Sequence, residues 1–326
     1  MPDNLIPSPG LSLSGLRSPQ SEMYSQIAIV GSGALGMLYG AQLALAGRDV
    51  RFLMRSDLPH VREHGIRLVA NGATRTLRPA AAFATTEEIG AVDLVFVLLK
   101  TTSNGELARL LPPLLHARTV VVTLQNGLGN EEWLASLVGP ERVVGGLCYL
   151  AANRTAPGEV TCNYPGTMTI AEVGSPASPR ARAIADMFKL AGVDCTAADN
   201  LLSARWHKLI WNIAFNGLTI VAGGVTTDKI LNSPTLTARA RALMNEVAAA
   251  ARALGYEMSE EFVRAQIDRT PALGPYRPST LTDFLAGREI ELEAIWGEPL
   301  RRGQAAGVAM PELARLYAEL KQARAV

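Results

Sequence analysis

The chain has 326 residues, 48% hydrophobic and 19% charged. That is an ordinary globular balance, with length for two domains of roughly 150 residues and a core in each. Lys plus Arg number 31 against 30 Asp plus Glu, a formal net charge of +1, so the basic footprint of a nucleic-acid binder is missing. No run of about 18 apolar residues is present to span a bilayer, and neither a nucleic-acid nor a membrane partner is expected. Cys148, Cys162 and Cys195 are far apart, odd in number and outside metal-ligand spacing, so they read as buried or inert thiols. His60 and His64 have helical i,i+4 spacing but no acidic or Cys partner, and no metal is expected.

Residues 1–22, MPDNLIPSPGLSLSGLRSPQSE, lack a basic stretch followed by an unbroken apolar core, which argues against a secretory signal. They are expected to lie outside the fold, with Met23 a candidate translation start and a cytoplasmic location.

Gln26–Val30 (QIAIV) is a short β-rich run, followed at once by Gly31-Ser32-Gly33-Ala34-Leu35-Gly36. A helical pattern then runs to Gly47, and a second strand covers Val50–Met54. Strand, glycine turn, helix and strand within about 30 residues form the context that the dinucleotide fingerprint requires. Gly31 permits the tight turn, Gly33 allows close approach of a pyrophosphate, and Gly36 lets helix pack on strand. The helix N-terminus presents free N–H groups to the phosphates. An NAD site places Asp or Glu near the end of the second strand; here Arg55 stands there, which suits the 2′-phosphate of NADP(H). Asp57, two residues on, reads as a helix cap.

Further strands are expected at Asp93–Lys100, Thr119–Gln125 and Arg142–Leu150, nearly continuous apolar runs as in a parallel strand covered on both faces. Lys100 and Asn126 stand at the carboxyl ends of such strands, where ligands bind in open α/β sheets. Each can equally be a solvated loop start or a turn residue. Short strands at Glu159–Tyr164 and Met168–Val173, a helix at Ser178–Ala191 and a last strand at Val193–Thr196 read as an antiparallel extension. The fold class is thus an α/β Rossmann-like N-terminal domain with a mostly parallel sheet, residues 23–198. An all-α domain follows at 199–326.

Helices are expected at 201–222, 233–254, 259–268, 289–305 and 310–323, with a Pro- and Gly-rich loop at 270–279. In RWHKLIWNIAFNGL, residues 205–218, three polar groups recur every four residues. At 100° per residue with Trp206 at 0°, Lys208 falls at about 200°, Asn212 at about 240° and Asn216 at about 280°. His207 apart, the rest of the circle is apolar or glycine, the reverse of a surface helix. The helix is expected to be buried nearly all round, and each unpaired polar group there costs about 1–3 kcal/mol. The stripe is either a packing network or one wall of a substrate cleft. Asn amides suit hydroxyl and carboxylate recognition, and a Lys can protonate a carbonyl oxygen. Farther on, Glu289 and Glu293 share a face of the expected helix while Glu291 points about 200° away. A solvated acidic helix start is the plain alternative.

Together these segments resemble the ketopantoate reductase (2-dehydropantoate 2-reductase) family, within the 6-phosphogluconate dehydrogenase-like superfamily. The carriers are GSGALG at 31–36, Arg55, Lys100 ending LVFVLLK, QNGLG at 125–129, KLIWNIAFN at 208–216, and Ser279-x-x-x-Asp283 with Glu291 eight residues on. The resemblance implies NADPH-dependent reduction of a 2-keto acid. It implies Lys208 as general acid at the keto oxygen and Glu291 as the residue that holds and polarises the reacting group. By the same resemblance Asn212, Asn216 and Ser279 contact substrate, Lys100 and Asn126 lie beside nicotinamide and substrate, and Arg55 meets the 2′-phosphate. The chain departs from the family pattern at PSTLTD, at Asn216-Gly217 and at Ile290, all on the substrate side. Two other readings stand beside this one: a related 2-hydroxy-acid dehydrogenase with another branched substrate, and a non-catalytic NADP-binding sensor. A homodimer is a possible assembly.

Overall fold

The computed structural model describes residues 23–70 and 72–323; the expectation for residues 1–22 lies outside them. The strands are β1 (Gln26–Val30), β2 (Asp49–Leu53), β3 (Ile66–Ala70), β4 (Ala73–Leu77), β5 (Ala81–Phe83), β6 (Leu94–Val97), β7 (Val120–Thr123), β8 (Val143–Ala156), β9 (Glu159–Glu172) and β10 (Cys195–Ala198). The helices in the same half are α1 (Ala34–Leu45), α2 (Leu58–His64), α3 (Thr86–Ile89), α4 (Leu107–Leu110), α5 (Asn130–Val138) and α6 (Pro179–Leu190). Among the described residues from Leu201 onward only helices follow: α7 (Leu201–Val221), α8 (Thr227–Leu231), α9 (Pro234–Ala253), α10 (Glu260–Arg269), α11 (Ser279–Leu285), α12 (Glu298–Ala305) and α13 (Pro311–Gln322). No helix among the described residues is long and apolar enough to cross a membrane.

The sheet runs β4-β3-β9-β8-β7-β6-β1-β2-β5, with β10 beside β9. Pairing is parallel except for β3 with β4 and β8 with β9. The apolar runs build the central strands for a simple reason. Ile27, Ile29, Leu94 and Phe96 pack into one core, and Ala28, Val30, Val95 and Val97 into another on the opposite face. With both faces covered, alternation along the strand disappears. A third core fills the helical region and includes Trp206, Ile213 and Phe215 of α7, all fully buried.

Among the differences from the sequence reading, three concern the course of the chain in the sheet and before α12. The expected break at Pro165-Gly166 is instead a bulge within one continuous strand, β9. Tyr149 pairs Thr167 and Ala151 pairs Tyr164, so β9 carries one extra residue there. Gly166 absorbs it with φ +57°, and a bulge is where a strand tolerates proline. The stretch 66–83 forms β3 to β5, which no apolar run announces: β4 (ATRTL) is exposed along nearly its whole length. The helix expected at 289–305 begins later. After Gly287 (φ +66°) the chain is irregular through Glu291, then makes a π-turn at Glu293–Gly297 before α12. A π-turn often marks a functional site.

That π-turn touches the sheet half. Leu128 N donates to Ala294 O at 3.0 Å, and Gly127 lies against the same peptide with φ +85°. A Cβ on Gly127 would sit 2.3 Å from Ala294 O. Gly127→Ala is therefore expected to lower stability by about 1–3 kcal/mol through strain and clash; urea unfolding against the unaltered chain measures it, and an unchanged midpoint contradicts the contact.

Candidate active site

The glycine turn sits where β1 meets α1. Gly31 has φ +110°, and a Cβ there would lie 2.4 Å from Leu99 N. A Cβ on Gly36 would lie 2.1 Å from Gly31 O. Both positions are closed by backbone. Gly33 is different: a Cβ would meet nothing within 4 Å. Gly33 is exposed and is the N-cap of α1, without a side-chain cap and without an acidic residue in the first turn. The bare N-terminus, half-buried Ala34 and Leu35 beside it, faces open space with its N–H groups available. That fits a diphosphate. Ser32 Oγ donates to Leu53 O at 2.8 Å and ties the turn to the end of β2.

Past β2, Arg55 is exposed and its guanidinium has no partner among the described residues. Asp57 is buried at 6% exposure. Its carboxylate accepts from Arg154 Nη1 at 3.1 Å and from Gly158 N at 3.1 Å. It makes no side-chain cap to α2, so the expected capping role is corrected: the hairpin of β8 and β9 takes it instead.

α7 crosses the carboxyl end of the sheet. Asn200 caps it by accepting from Ser203 N at 2.9 Å. The wheel is borne out: Trp206, Leu209, Ile210, Ile213, Ala214, Phe215, Leu218 and Ile220 are buried, as is Asn216, while Lys208 and Asn212 are half-buried. Lys208 Nζ donates to Asn126 Oδ1 at 2.8 Å and to Cys148 O at 2.6 Å. It lies 5.6 Å from the Tyr149 ring centre. Lys208, Asn126 and Asn212 line a narrow cleft with Gly127, Leu147, Arg205 and Leu209. Burial pushes the Lys208 ammonium down to about 8; the Arg205 guanidinium adds to that, while the Cys148 thiol and Glu291 oppose it.

Glu291 is 4% exposed. Because the helix starts late, its face relative to Glu289 and Glu293 is not set by helical spacing, and that part of the sequence argument is corrected. Its carbonyl accepts from Ile295 N at 3.1 Å. Its carboxylate accepts from Thr101 N at 3.1 Å and, at a long 3.4 Å, from Asn126 Nδ2. Lys100 pairs closely with Asp283 and stands 3.9 Å from Glu291. Asp283 in turn accepts from Arg288 Nε at 3.0 Å. Lys208, Asn126, Glu291, Lys100 and Asp283 thus form one polar chain across the two halves.

Asn212 makes no side-chain hydrogen bond among the described residues. Asn216 Nδ2 donates to Thr280 Oγ1 at 3.1 Å, and its Oδ1 is buried without a partner. Ser279 is exposed at the start of α11; the hydroxyl that meets Asn216 belongs to its neighbour Thr280. Sequence reasoning missed Thr280 and, more importantly, Arg205. Arg205 is 2% exposed and donates to Gln125 O at 2.8 Å, Gly127 O at 3.2 Å and Gly146 O at 3.2 Å, and pairs with buried Glu131. The signal existed: at 100° per residue Arg205 falls at about 260°, inside the polar stripe.

The description "Ketopantoate reductase PanE/ApbA" matches residues 27–175, and its C-terminal counterpart matches residues 200–324. The chain belongs to the ketopantoate reductase family. Its similarity to members of that family runs almost end to end. A 2-dehydropantoate 2-reductase of Nostoc sp. is 37% identical over 299 residues, 90% of this chain and 93% of the relative. The crystal structure of 2-dehydropantoate 2-reductase from Geobacter metallireducens is 41% identical with a TM-score of 0.88, covering 91% of this chain and 99% of that one. That from Methylococcus capsulatus is 34% identical with a TM-score of 0.84, covering 91% and 96%. The family's sheet domain and helical region match the architecture found here.

Lys208 provides a direct check of the cleft. Its Nζ is expected to titrate near pH 8, well below an ordinary lysine at about 10.4. NMR of isotope-labelled lysine, assigned with Lys208→Met, measures the midpoint; a value above 10 contradicts the burial described.

Proposed function

We propose that this chain reduces a 2-keto acid to the 2-hydroxy acid with NADPH, and that 2-dehydropantoate (ketopantoate), giving pantoate for pantothenate biosynthesis, is the leading substrate. The observation that carries the reading is Lys208. Its Nζ is held by Asn126 and Cys148 O in a cleft, where burial pushes it down to about 8, in a chain of the ketopantoate reductase family. Residues 23–198 bind the cofactor, and 199–326 supply the substrate wall and the proton.

The nicotinamide cofactor, when bound, supplies the hydride. The glycine turn 31–36 holds the diphosphate on α1. Arg55 is free to meet a 2′-phosphate, and Asp57, the nearby carboxylate that a ribose 2′-OH would seek, is already engaged by Arg154 and Gly158. Both points favour NADPH. Lys208 donates its proton from Nζ to the keto oxygen. Asn126 and Cys148 O aim that ammonium, and Glu291, through Asn126, keeps a negative charge near it. Asn212, with no side-chain hydrogen bond among the described residues, donates from Nδ2 to the acid's carboxylate, and Asn216, whose carbonyl oxygen is unpaired, accepts from the acid's hydroxyl group together with Ser279. Lys100 stands beside the reacting centre on the cofactor side.

A proton donor contributes about 10²–10⁴-fold, so Lys208→Ala is expected to lower kcat by that factor while NADPH binding by fluorescence is kept. Full activity in the variant would remove the assigned role. Reduction needs Lys208 protonated, so kcat/KM is expected to fall as pH rises through about 8. A rate flat to pH 10 argues against it. Arg55→Ala is expected to weaken NADPH far more than NADH in parallel titrations; equal losses would take the 2′-phosphate away from Arg55.

A further inference from the structure

Arg205 sits one turn before Lys208 on α7, at 2% exposure. Its Nη1 donates to Gln125 O at 2.8 Å and to Gly127 O at 3.2 Å, the carbonyls on either side of Asn126. Its Nη2 donates to Gly146 O at 3.2 Å and pairs with Glu131, which is also 2% exposed. Lys208 grips the same two segments one turn on, through Asn126 Oδ1 and Cys148 O. Residues three apart share a helix face, and carbonyls two apart share a strand edge. The two cations therefore hold the loop after β7 and the strand β8 side by side.

Stability alone does not call for this arrangement. Burying an ion pair costs desolvation that attraction often fails to return. Here Arg205 Nε and Glu131 Oε2 are both buried without a partner. What the guanidinium supplies is geometry, since its planar fork reaches carbonyls on both sides of one residue.

We propose that Arg205, paired with Glu131, is a positioning residue that fixes Asn126 and through it aims the Lys208 ammonium. The inference rests on the reading of Lys208 as proton donor. It makes the peptide at Asn126 rigid before substrate arrives. It also places a cation beside Lys208, where the other titratable neighbours are the Cys148 thiol, Tyr149 and Glu291.

The test uses the full chain with Arg205→Met/Glu131→Leu, which removes both buried charges together, and Arg205→Lys. The double variant is expected to melt about 5–10 °C lower, because apolar replacement of the buried pair is tolerated but the carbonyls of Gln125, Gly127 and Gly146 lose their donor. NADPH affinity is expected to hold, while kcat falls on the order of 10²-fold from a misplaced donor. With the cation gone, the Lys208 midpoint and the basic limb of the pH profile move upward from about 8. Arg205→Lys keeps the charge but not the fork, so its limb stays in place while kcat still drops about tenfold or more. That variant decides the matter if the double variant fails to fold. Unaltered kcat and an unmoved Lys208 midpoint overturn the proposal. Should the unaltered chain reduce no 2-keto acid, the functional reading fails. The Lys208 midpoint by NMR, read with the Asn126 side-chain amide resonance, then still decides the positioning role.

Discussion

A buried guanidinium joins the two halves of this molecule. Arg205 comes from the first turns of the long helix α7, and everything it holds comes from the sheet half: three carbonyls and the Glu131 carboxylate. Removing one partner would leave a buried unpaired charge, which is far more costly than losing an exposed pair. The loop at Gln125–Gly129 is consequently not a free surface loop. It is fixed from one side by Arg205 and from the other by Leu128 N on Ala294 O. Beneath it, Gln125 Nε2 donates to Leu99 O at 2.9 Å and Asn104 Oδ1 at 2.7 Å, and Asn130 Nδ2 donates to Asn126 O at 2.9 Å.

The chemistry of the cleft follows from that fixed loop. Asn126 has its oxygen on Lys208 and its nitrogen toward Glu291, so one amide side chain links the cation to the carboxylate. Burial beside a second cation lowers the affinity of Lys208 for its proton, and Glu291 limits how far. The late start of the helix after Glu291 matters here. It frees the residue from helical spacing and lets its carboxylate reach Thr101 N, so a residue from the C-terminal half is held by backbone at the end of β6. The π-turn that follows seats Trp296, whose Nε1 donates to Ile213 O at 3.0 Å. Gly217 gives that ring room: a Cβ there would lie 2.9 Å from Trp296 Nε1. The glycine that departs from the family pattern therefore has a packing reason.

The cofactor side obeys simpler rules. Gly31 and Gly36 are closed by backbone, and Gly33 is left open at a bare helix end. The division of labour between Arg55 and Asp57 is electrostatic. One is exposed without a partner among the described residues, the other buried on Arg154 and Gly158 N, and that leaves the end of β2 with a positive charge unpaired by them.

The sequence by itself determined the central strands, the glycine turn and α7 with its polar stripe, because each is a local requirement: both faces of a strand, the φ of one residue, the 3.6-residue period. It also offered Lys208, Asn126 and Lys100 as candidates for a cleft by their place on those elements, with a packing or solvated role as the alternative. Only the tertiary structure decided that Glu291 faces Thr101 and Asn126, that Arg205 pairs with Glu131, that Asp57 is engaged by Arg154, and that Thr280 rather than Ser279 meets Asn216. It also decided that β9 runs unbroken through Pro165-Gly166. The physical reason is common to all five. A charge or amide finds its partner by where the chain brings another group within about 3 Å, and a strand keeps its pairing by what lies beside it, and neither leaves a period in the sequence.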